Sequence, residues 1–218
     1  LDKEPEARKS RAISIAKSFG FKIRETNVNS SGRVWEISED GKTLIQPLTS
    51  IKGLGEKAID EIVAHRPFET IEEFLFNPDI TYGKLNKKAL DVLARSQALS
   101  DLMDDRFTGT KHFWTCISEN RPRNKKKLEE NIDTFIEEGE FGIQEKIKNL
   151  DDLTGSYPIH LIMTDTMLNK LDKMKVMPLG EYDKDLNLSW FIVKECIEKR
   201  TKNGKLYWLL KTIDSSNK

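Results

Sequence analysis

A glycine-containing turn followed by an amphipathic helix constrains this chain more than any other feature. Residues 51–55 read Ile-Lys-Gly-Leu-Gly, and apolar residues at helical spacing predict a helix over 56–65. Gly53 and Gly55 permit positive φ and let the backbone approach a ligand closely. The first amides of the helix have no intrahelical partner, and they lie at the positive end of its dipole. The stretch therefore predicts a binding site for an anion the size of a phosphate.

This pattern is typical of a helix-hairpin-helix unit, in which lysines beside the turn add positive charge. Two observations favour a plainer interpretation. A Gly-x-Gly turn also occurs without any ligand, and the carboxylate of Glu56 competes for the same helix N-terminus. The predicted members of a phosphate site here are Lys52, Gly53, Leu54, Gly55 and Lys57.

A second, degenerate helical hairpin is predicted between 70 and 95. Thr70 and Glu73 form a capping box, Asn77 precedes a proline that ends the helix, and Asn86 is suited to cap the next one. Lysines near this second turn oppose the helix dipole, and a bound phosphate would make the same charges favourable. A solvated helix face is the alternative interpretation. The lysines that we assign to a second backbone contact are Lys84, Lys87 and Lys88.

Several motifs between Arg11 and Ser100 occur in a recognisable order. They are an alanine-containing helix ending at Gly20, Asn-Val-Asn-Ser-Ser at 27–31, the turn at 51–56, Phe-Glu-Thr-Ile-Glu-Glu-Phe at 68–74 and Asn-Lys-Lys-Ala-Leu at 86–90. This order resembles the end of the fingers region in the alpha subunit of bacterial DNA polymerase III, a family C replicative polymerase.

The chain departs from that family's pattern at two places. Thr26 stands near the usual Pro before the Asn-x-Ser motif, and Ser-Gln-Ala-Leu at 96–99 replaces the usual small-Gly-Ala-Phe ending. These departures indicate a divergent member, for which a phage-encoded polymerase is one candidate. They bear on the details of the DNA contacts.

Charge and cysteine content limit the classes of partner. The 218 residues contain 36 Lys and Arg and 36 Asp and Glu, so the formal net charge is zero. Nucleic-acid binding must then come from local basic patches. The densest patch lies at 121–127, and a solvated face explains it equally well. Cys116 and Cys196 lack metal-ligand spacing, which agrees with the reducing cytoplasm of a bacterial cell or a phage-infected host.

Two further expectations concern the limits of the chain. No apolar run approaches the roughly 18 residues that a membrane span requires, so we expect no membrane partner. Because the chain begins without Met, we expect it to be a piece of a longer protein.

The regions around the two hairpins carry weaker patterns. We predict a helix over 5–19 with Ile15 and Phe19 on its apolar face, and a β-hairpin over 33–45 around an Asp-Gly turn. Residues 101–123 lose periodicity apart from a short buried segment, and two amphipathic helices follow from Asn124 and Ile143. The apolar residues expected in the β-hairpin are Val34, Trp35, Ile37, Leu44 and Ile45. The connector is expected to bury Phe113, Trp114 and Ile117.

The C-terminal residues have a strand pattern. Apolar residues follow Leu188, and Asn203-Gly204 predicts a tight hairpin turn. This part resembles the first strands of the OB domain that follows the hairpins in the alpha subunit. An OB barrel needs five strands, so we expect the chain to be cut inside that domain.

The predicted fold class is α+β, mainly α, in three parts. Residues 1–105 form the end of the fingers with a tandem helix-hairpin-helix region and a small β-hairpin. Residues 106–186 form a helical connector, and residues 187–218 begin an OB-like β domain.

The resemblance implies a piece of a DNA-directed DNA polymerase, a nucleotidyltransferase. We expect it to hold double-stranded primer-template DNA behind the active site and so to support processive synthesis. No catalytic residue and no cofactor are assigned to this piece, because the family's Mg²⁺-binding carboxylates lie in the upstream palm. A sliding clamp or another replisome protein is a further partner that the resemblance admits. The alternatives are a stand-alone helix-hairpin-helix repair protein and a protein-interaction domain.

Overall fold

The structure is a computed structural model that describes residues 12, 13, 15–17, 19–81, 83–181, 185 and 188–215. The chain divides into two compact units. One comprises residues 20–157, and the other comprises 158–215 with the described residues of 12–19. The fold is α+β and mainly α, as predicted. The division after 157 falls inside the predicted connector, and the three domains with boundaries at 105 and 186 stay predictions.

The predicted helix over 5–19 lies largely outside the described residues. Residues 12, 13 and 15–17 are helical, and Gly20 has a φ of +84°, as expected of a helix terminator. Ile15 and Phe19, which the spacing places on one apolar face, are exposed.

A small three-stranded sheet precedes the hairpins. Its strands are β1 (Lys22–Arg24), β2 (Glu36–Ile37) and β3 (Thr43–Ile45), and the central β3 is parallel to β1 and antiparallel to β2. The predicted hairpin turn is confirmed, because Gly41 has a φ of +64°. Beside it, hydrogen bonds from Ser38, Lys42 and Thr43 lower the pKa of the Asp40 carboxyl.

The apolar residues of this sheet are not all packed. Ile45 is buried, whereas Val34 and Ile37 are exposed, so the predicted packing is wrong for these two residues. Ile37 lies in the two-residue β2 at the edge of the sheet, where the burial available to side chains is small, and Val34 lies in the bend that precedes this strand.

Two helical hairpins form the core of the first unit. A 3-10 helix (Leu48–Ser50) leads into α1 (Glu56–His65), and α2 (Ile71–Phe76) leads into α3 (Lys87–Arg95). The predicted bounds of α1 are confirmed. Both hairpins bury apolar side chains in one shared cluster, as expected for a tandem arrangement. Its most deeply buried members include Ile51, Ile59, Ile62, Ile71, Phe74, Leu90 and Leu93.

Side chains cap α2 and α3 as predicted. Thr70 Oγ1 accepts the N–H of Glu73 at 3.2 Å, and Asn86 Oδ1 accepts the N–H of Ala89 at 3.0 Å. The carboxylate of Glu73 departs from the expected capping box. It accepts the N–H of Glu69 at 2.7 Å rather than that of Thr70.

A left-handed residue ends α3. Gln97 has a φ of +63°, and the N–H of Ala98 donates to the Leu93 carbonyl at 3.0 Å, as in a Schellman turn. The polymerase pattern has Gly at this position, because Gly adopts positive φ without a steric cost. The departure at Gln97 therefore keeps the turn but places a side chain where the backbone disfavours one.

The remainder of the first unit is helical. α4 (Thr110–Trp114) continues as a π-helical turn (Thr115–Glu119), and α5 (Lys125–Thr134) and α6 (Ile143–Thr154) follow. The predicted loss of periodicity over 101–123 is wrong for 110–119, because Phe113, Cys116 and Ile117 share one buried helical face. The predicted burial is confirmed for Phe113 and Ile117, whereas Trp114 is partly buried. Ile136, in the 3-10 turn after α5, and Ile143, at the start of α6, are exposed.

A polar network ties α3 to the later helices. Asp91 accepts the indole N–H of Trp114 at 2.8 Å, and Arg95 donates to Asn149 Oδ1 from Nε at 3.1 Å and from Nη2 at 2.7 Å. These hydrogen bonds hold the Arg95 side chain between α3 and α6. These contacts fix the orientation of α3 in the unit.

The second unit contains α7 (Asp165–Lys173) and short strands. β4 (Met177–Pro178) pairs parallel to β5 (Ser189–Trp190), and β6 (Ile192–Arg200) pairs antiparallel to β7 (Leu206–Ile213). The predicted Asn203-Gly204 turn is confirmed by the φ of +77° at Gly204. Among the described residues β6 and β7 form a two-stranded sheet, and the OB fold stays a prediction.

We expect Gln97→Gly to raise the free energy of unfolding by about 0.5–1 kcal/mol, because glycine adopts the positive φ without strain. The gain is smaller than the full strain energy, because glycine also increases the conformational entropy of the unfolded chain. Urea denaturation of the full chain measures the change. Ser96→Gly is the matched control, since Ser96 has a φ of −80° and its hydroxyl donates to the Leu93 carbonyl. The control should destabilise, and equal effects from both variants would contradict the strain at Gln97.

We expect Gly109→Ala to lower the free energy of unfolding by about 1–3 kcal/mol through overpacking. A Cβ at Gly109 would lie 2.6 Å from the backbone carbonyl of Gly139, so the chain must move. Gly142→Ala is the control, because a Cβ there meets no atom within 4 Å. Thermal denaturation compares the two, and an equally stable Gly109→Ala variant would show that the contact yields easily.

Candidate nucleic-acid interface

The first hairpin turn has an open helix N-terminus. The N–H of Leu54 donates to the Ile51 carbonyl at 3.2 Å, and Gly53 has a φ of +88°, which strongly favours glycine. Gly55 is the N-cap of α1, with φ −77° and ψ 147°, and no side chain caps the helix. This is the backbone conformation of an ordinary N-cap without its usual acceptor.

Several backbone amides at this open end lack hydrogen-bond partners. The carbonyl of Gly55 accepts the N–H groups of Ala58 at 3.0 Å and Ile59 at 3.2 Å. Within the described part of the chain, the N–H groups of Gly53, Gly55, Glu56 and Lys57 have no hydrogen-bond partner. Unpaired donors at the positive end of a helix dipole form a site for an anion.

The second hairpin turn is closed by its own side chains. Asn86 fills the N-cap position of α3, and Lys84 Nζ donates to Glu61 Oε1 at 2.6 Å. The hydrogen bond from Lys84 lowers the pKa of the Glu61 carboxyl below its usual value. Because Glu61 belongs to α1, this ion pair joins the second turn to the helix of the first. The two turns therefore differ in chemistry: one presents amides and the other presents lysine side chains.

The structure brings the two turns together at Gly53. A Cβ placed on Gly53 would lie 3.5 Å from Lys88 Cε and 3.5 Å from Val92 Cγ1. The stem of Lys88 thus passes over the glycine of the first turn, with its ammonium group free to reach an anion there. Glycine is favoured at position 53 by its φ, whereas a Cβ there would make only ordinary van der Waals contact with the lysine stem.

The predicted site residues fall into three groups. Lys52, Lys57, Lys87 and Lys88 are exposed, and in the described part of the chain no carboxylate pairs with them. Leu54 is 9% exposed and belongs to the core, so only its backbone is available to a ligand. Lys84 is the one predicted lysine whose ammonium is already in an ion pair. The assignment of all eight residues to DNA binding stays a prediction.

Sequence reasoning missed two contacts that shape the first turn. The N–H of Lys52 donates to the Leu153 carbonyl at 2.7 Å, which anchors the turn to the C-terminal end of α6. Arg33 forms ion pairs with Glu56 and Asp60 on α1. No local pattern could have revealed either contact, because the partners lie far apart in sequence.

The Asn-x-Asn-Ser segment joins the sheet region to both hairpins. The side chain of Asn29 donates to the Phe68 carbonyl and accepts the Phe68 N–H, each at 2.8 Å. The N–H of Val28 donates to the Ala98 carbonyl at 3.0 Å. Asn29 therefore holds the loop between α1 and α2, while Val28 holds the end of α3. This gives the N-terminal motif a structural role in positioning the two turns.

The basic patch of 121–127 lies at the start of α5. Asn124 Oδ1 accepts the N–H of Lys127 at 2.8 Å, and Lys127 Nζ pairs with Glu130 at 3.1 Å. This helix end is capped by its own chain, unlike that of α1. A solvated face therefore remains a sufficient explanation of the patch.

Metal-binding clusters and membrane-spanning helices are both absent from the described residues. No group of three or more His, Cys, Asp or Glu side chains is arranged to hold a metal ion. No described helix is both long enough and apolar enough to cross a membrane.

Comparison with known proteins identifies the region that carries this turn. Residues 20–109 match the model of a family described as the helix-hairpin-helix motif. DNA polymerase III PolC-type of Lacticaseibacillus paracasei is 31% identical over 87 residues, which cover 39% of this chain and 6% of that protein. DNA polymerase III subunit alpha of Xylella fastidiosa is 28% identical over 98 residues, which cover 43% of this chain and 8% of that protein.

The chain thus matches less than a tenth of the length of each of these relatives. The resemblance that the motifs indicated is confirmed: residues 20–109 form a helix-hairpin-helix region similar to segments of bacterial DNA polymerase III alpha and PolC-type proteins.

Proposed function

We propose that this chain binds the phosphate backbone of duplex DNA through the first hairpin turn. The observation that carries the proposal is the uncapped N-terminus of α1, where four successive or nearby backbone amides lack hydrogen-bond partners and exposed lysines lie in the same segment. A phosphate would supply the acceptor that the helix lacks. Contacts of this kind position a duplex without reading its sequence.

The two hairpins would make different contacts with the DNA backbone. The amides of Gly53, Gly55, Glu56 and Lys57 hold one phosphate. Lysines at 52, 57 and 88 neutralise its charge and that of its neighbours. Lys87 extends the contact along the backbone from the second hairpin. Lys84 contributes mainly by fixing the second turn to Glu61, since its ammonium is already paired.

We further propose that the chain is part of a replicative DNA-directed DNA polymerase. The similarity to polymerase III proteins and the order of motifs support this proposal. In such an enzyme the hairpins would grip the duplex behind the active site and slow its dissociation between nucleotide additions. The two-metal chemistry with Mg²⁺ would belong to a palm outside this chain. A sliding clamp or other replisome partner remains a prediction.

One observation distinguishes this proposal from a stand-alone repair module. Asn29 and Val28, which precede the hairpins, make backbone-directed hydrogen bonds that hold both hairpins in place. The hairpins are therefore built into a larger unit with the sheet. This favours a module embedded in a polymerase over an independent one.

A salt series tests the DNA-binding proposal directly. Binding of the full chain to a labelled primer-template duplex, measured by fluorescence anisotropy from about 50 to 200 mM salt, should give a log-log slope of about −2 to −4. That slope corresponds to two to four phosphate contacts at roughly 0.9 each. No salt-dependent affinity would instead favour a protein-interaction domain.

Gly55→Asp separates phosphate binding from stability. Gly55 already has N-cap geometry and open space, so an aspartate should cap α1 and raise the free energy of unfolding by about 0.3–1 kcal/mol. The same carboxylate occupies the amides and repels phosphate, so we expect DNA affinity to fall at least about tenfold.

Gly55→Asn is the matched control, because it supplies the cap without the charge. We expect it to weaken DNA binding less than the aspartate does, with a similar gain in stability. Urea denaturation and anisotropy measure the two properties. DNA affinity within twofold of the wild type for Gly55→Asp would rule out the α1 amides as the phosphate site.

A further inference from the structure

We propose that Arg33 is a positioning residue of the phosphate site: its ion pair with Glu56 holds that carboxylate away from the N-terminal amides of α1, and its ion pair with Asp60 anchors the guanidinium on the same helix. The inference rests on the proposed function, because it concerns the same amides. Arg33 itself lies outside the two hairpins, in the segment that leads into β2.

The backbone around Arg33 is fixed to the first helix of the hairpin. The N–H of Leu48 donates to the Gly32 carbonyl at 2.9 Å, and Thr49 Oγ1 donates to the Arg33 carbonyl at 2.8 Å. Both donors belong to the 3-10 helix that precedes the glycine turn. The Cα of Arg33 is therefore held at a set place beside the turn.

The side chain of Arg33 crosses from this anchor to α1. Its Nη2 lies 3.8 Å from Glu56 Oε2, and its Nη1 pairs with Asp60. Glu56 and Asp60 are one helical turn apart, so the guanidinium spans the first turn of the helix. One arginine thereby braces the 3-10 helix against α1 and neutralises the two acidic residues nearest the amide site.

The position of Glu56 makes this contact consequential. A carboxylate in the first turn of a helix is attracted by the helix dipole and by the unpaired amides. In the structure no side chain caps α1, and the carboxylate of Glu56, with 85% of its side chain exposed, is directed to Arg33. Without the guanidinium, Glu56 would compete with a phosphate for the same donors.

A DNA-binding cycle tests the role. Arg33→Gln should weaken binding of the full chain to a labelled duplex about threefold to tenfold at about 50 mM salt, with the slope against salt unchanged. In a Glu56→Gln and Asp60→Asn background the same substitution should weaken DNA binding less than about twofold, because Arg33 then has no carboxylate to hold. An equal loss in both backgrounds, or a slope smaller by about one unit, would mean that Arg33 contacts phosphate itself and would overturn the positioning role.

A second measurement needs no DNA, so it remains decisive if the wild-type chain does not bind a duplex and the proposed function fails. In amide NMR spectra of the full chain, Arg33→Gln should move the Glu56 and Lys57 amide proton resonances downfield as the carboxylate turns onto them. Adding Glu56→Gln should reverse the shift. Unchanged resonances in a folded Arg33→Gln variant would overturn the inference.

Discussion

The uncapped N-terminus of α1 depends on hydrophobic packing elsewhere in the unit. A glycine at the N-cap costs only a few tenths of a kcal/mol relative to a capping side chain. Full burial of a single Ile or Leu contributes about 1.5–3 kcal/mol. The cluster shared by the two hairpins, which includes Ile59, Ile62 and Leu90, therefore offsets the missing cap many times over. The fold can keep its donors open because its stability does not come from them.

The two hairpins use one architecture for different purposes. In the second, Asn86 satisfies the helix end, so α3 is complete without a ligand. In the first, no side-chain acceptor caps α1 at Gly55, and the stem of Lys88 lies over Gly53. The second hairpin thus supplies Lys88 beside the first turn and apolar side chains to the shared core. The difference arises at the N-cap, which is Asn86 in the second hairpin and Gly55 in the first.

Local chemistry explains most of what the sequence predicted. The bounds of α1 follow from Gly55 and Pro67, and the caps at Thr70 and Asn86 follow from bonds to amides three residues on. The contacts that could not be predicted join residues that are distant in sequence. They are the parallel pairing of β1 with β3, the hydrogen bonds between Asn29 and Phe68, and the ion pairs of Arg33. The helix at 110–119 was not predicted for a different reason: its apolar face is short, and nearby glycine and aspartate residues interrupt the helical pattern of the sequence.

The contacts between the turns carry one more consequence. Lys84 is bonded to Glu61, and Lys88 lies against Gly53, so the amide site and the lysines of the second hairpin cannot move independently. The spacing between them is set by the protein core rather than by flexible side chains alone. If the first turn binds phosphate as proposed, this fixed spacing would match one distance between neighbouring phosphates. It would then tolerate any base sequence but disfavour a nucleic acid whose strands are spaced differently.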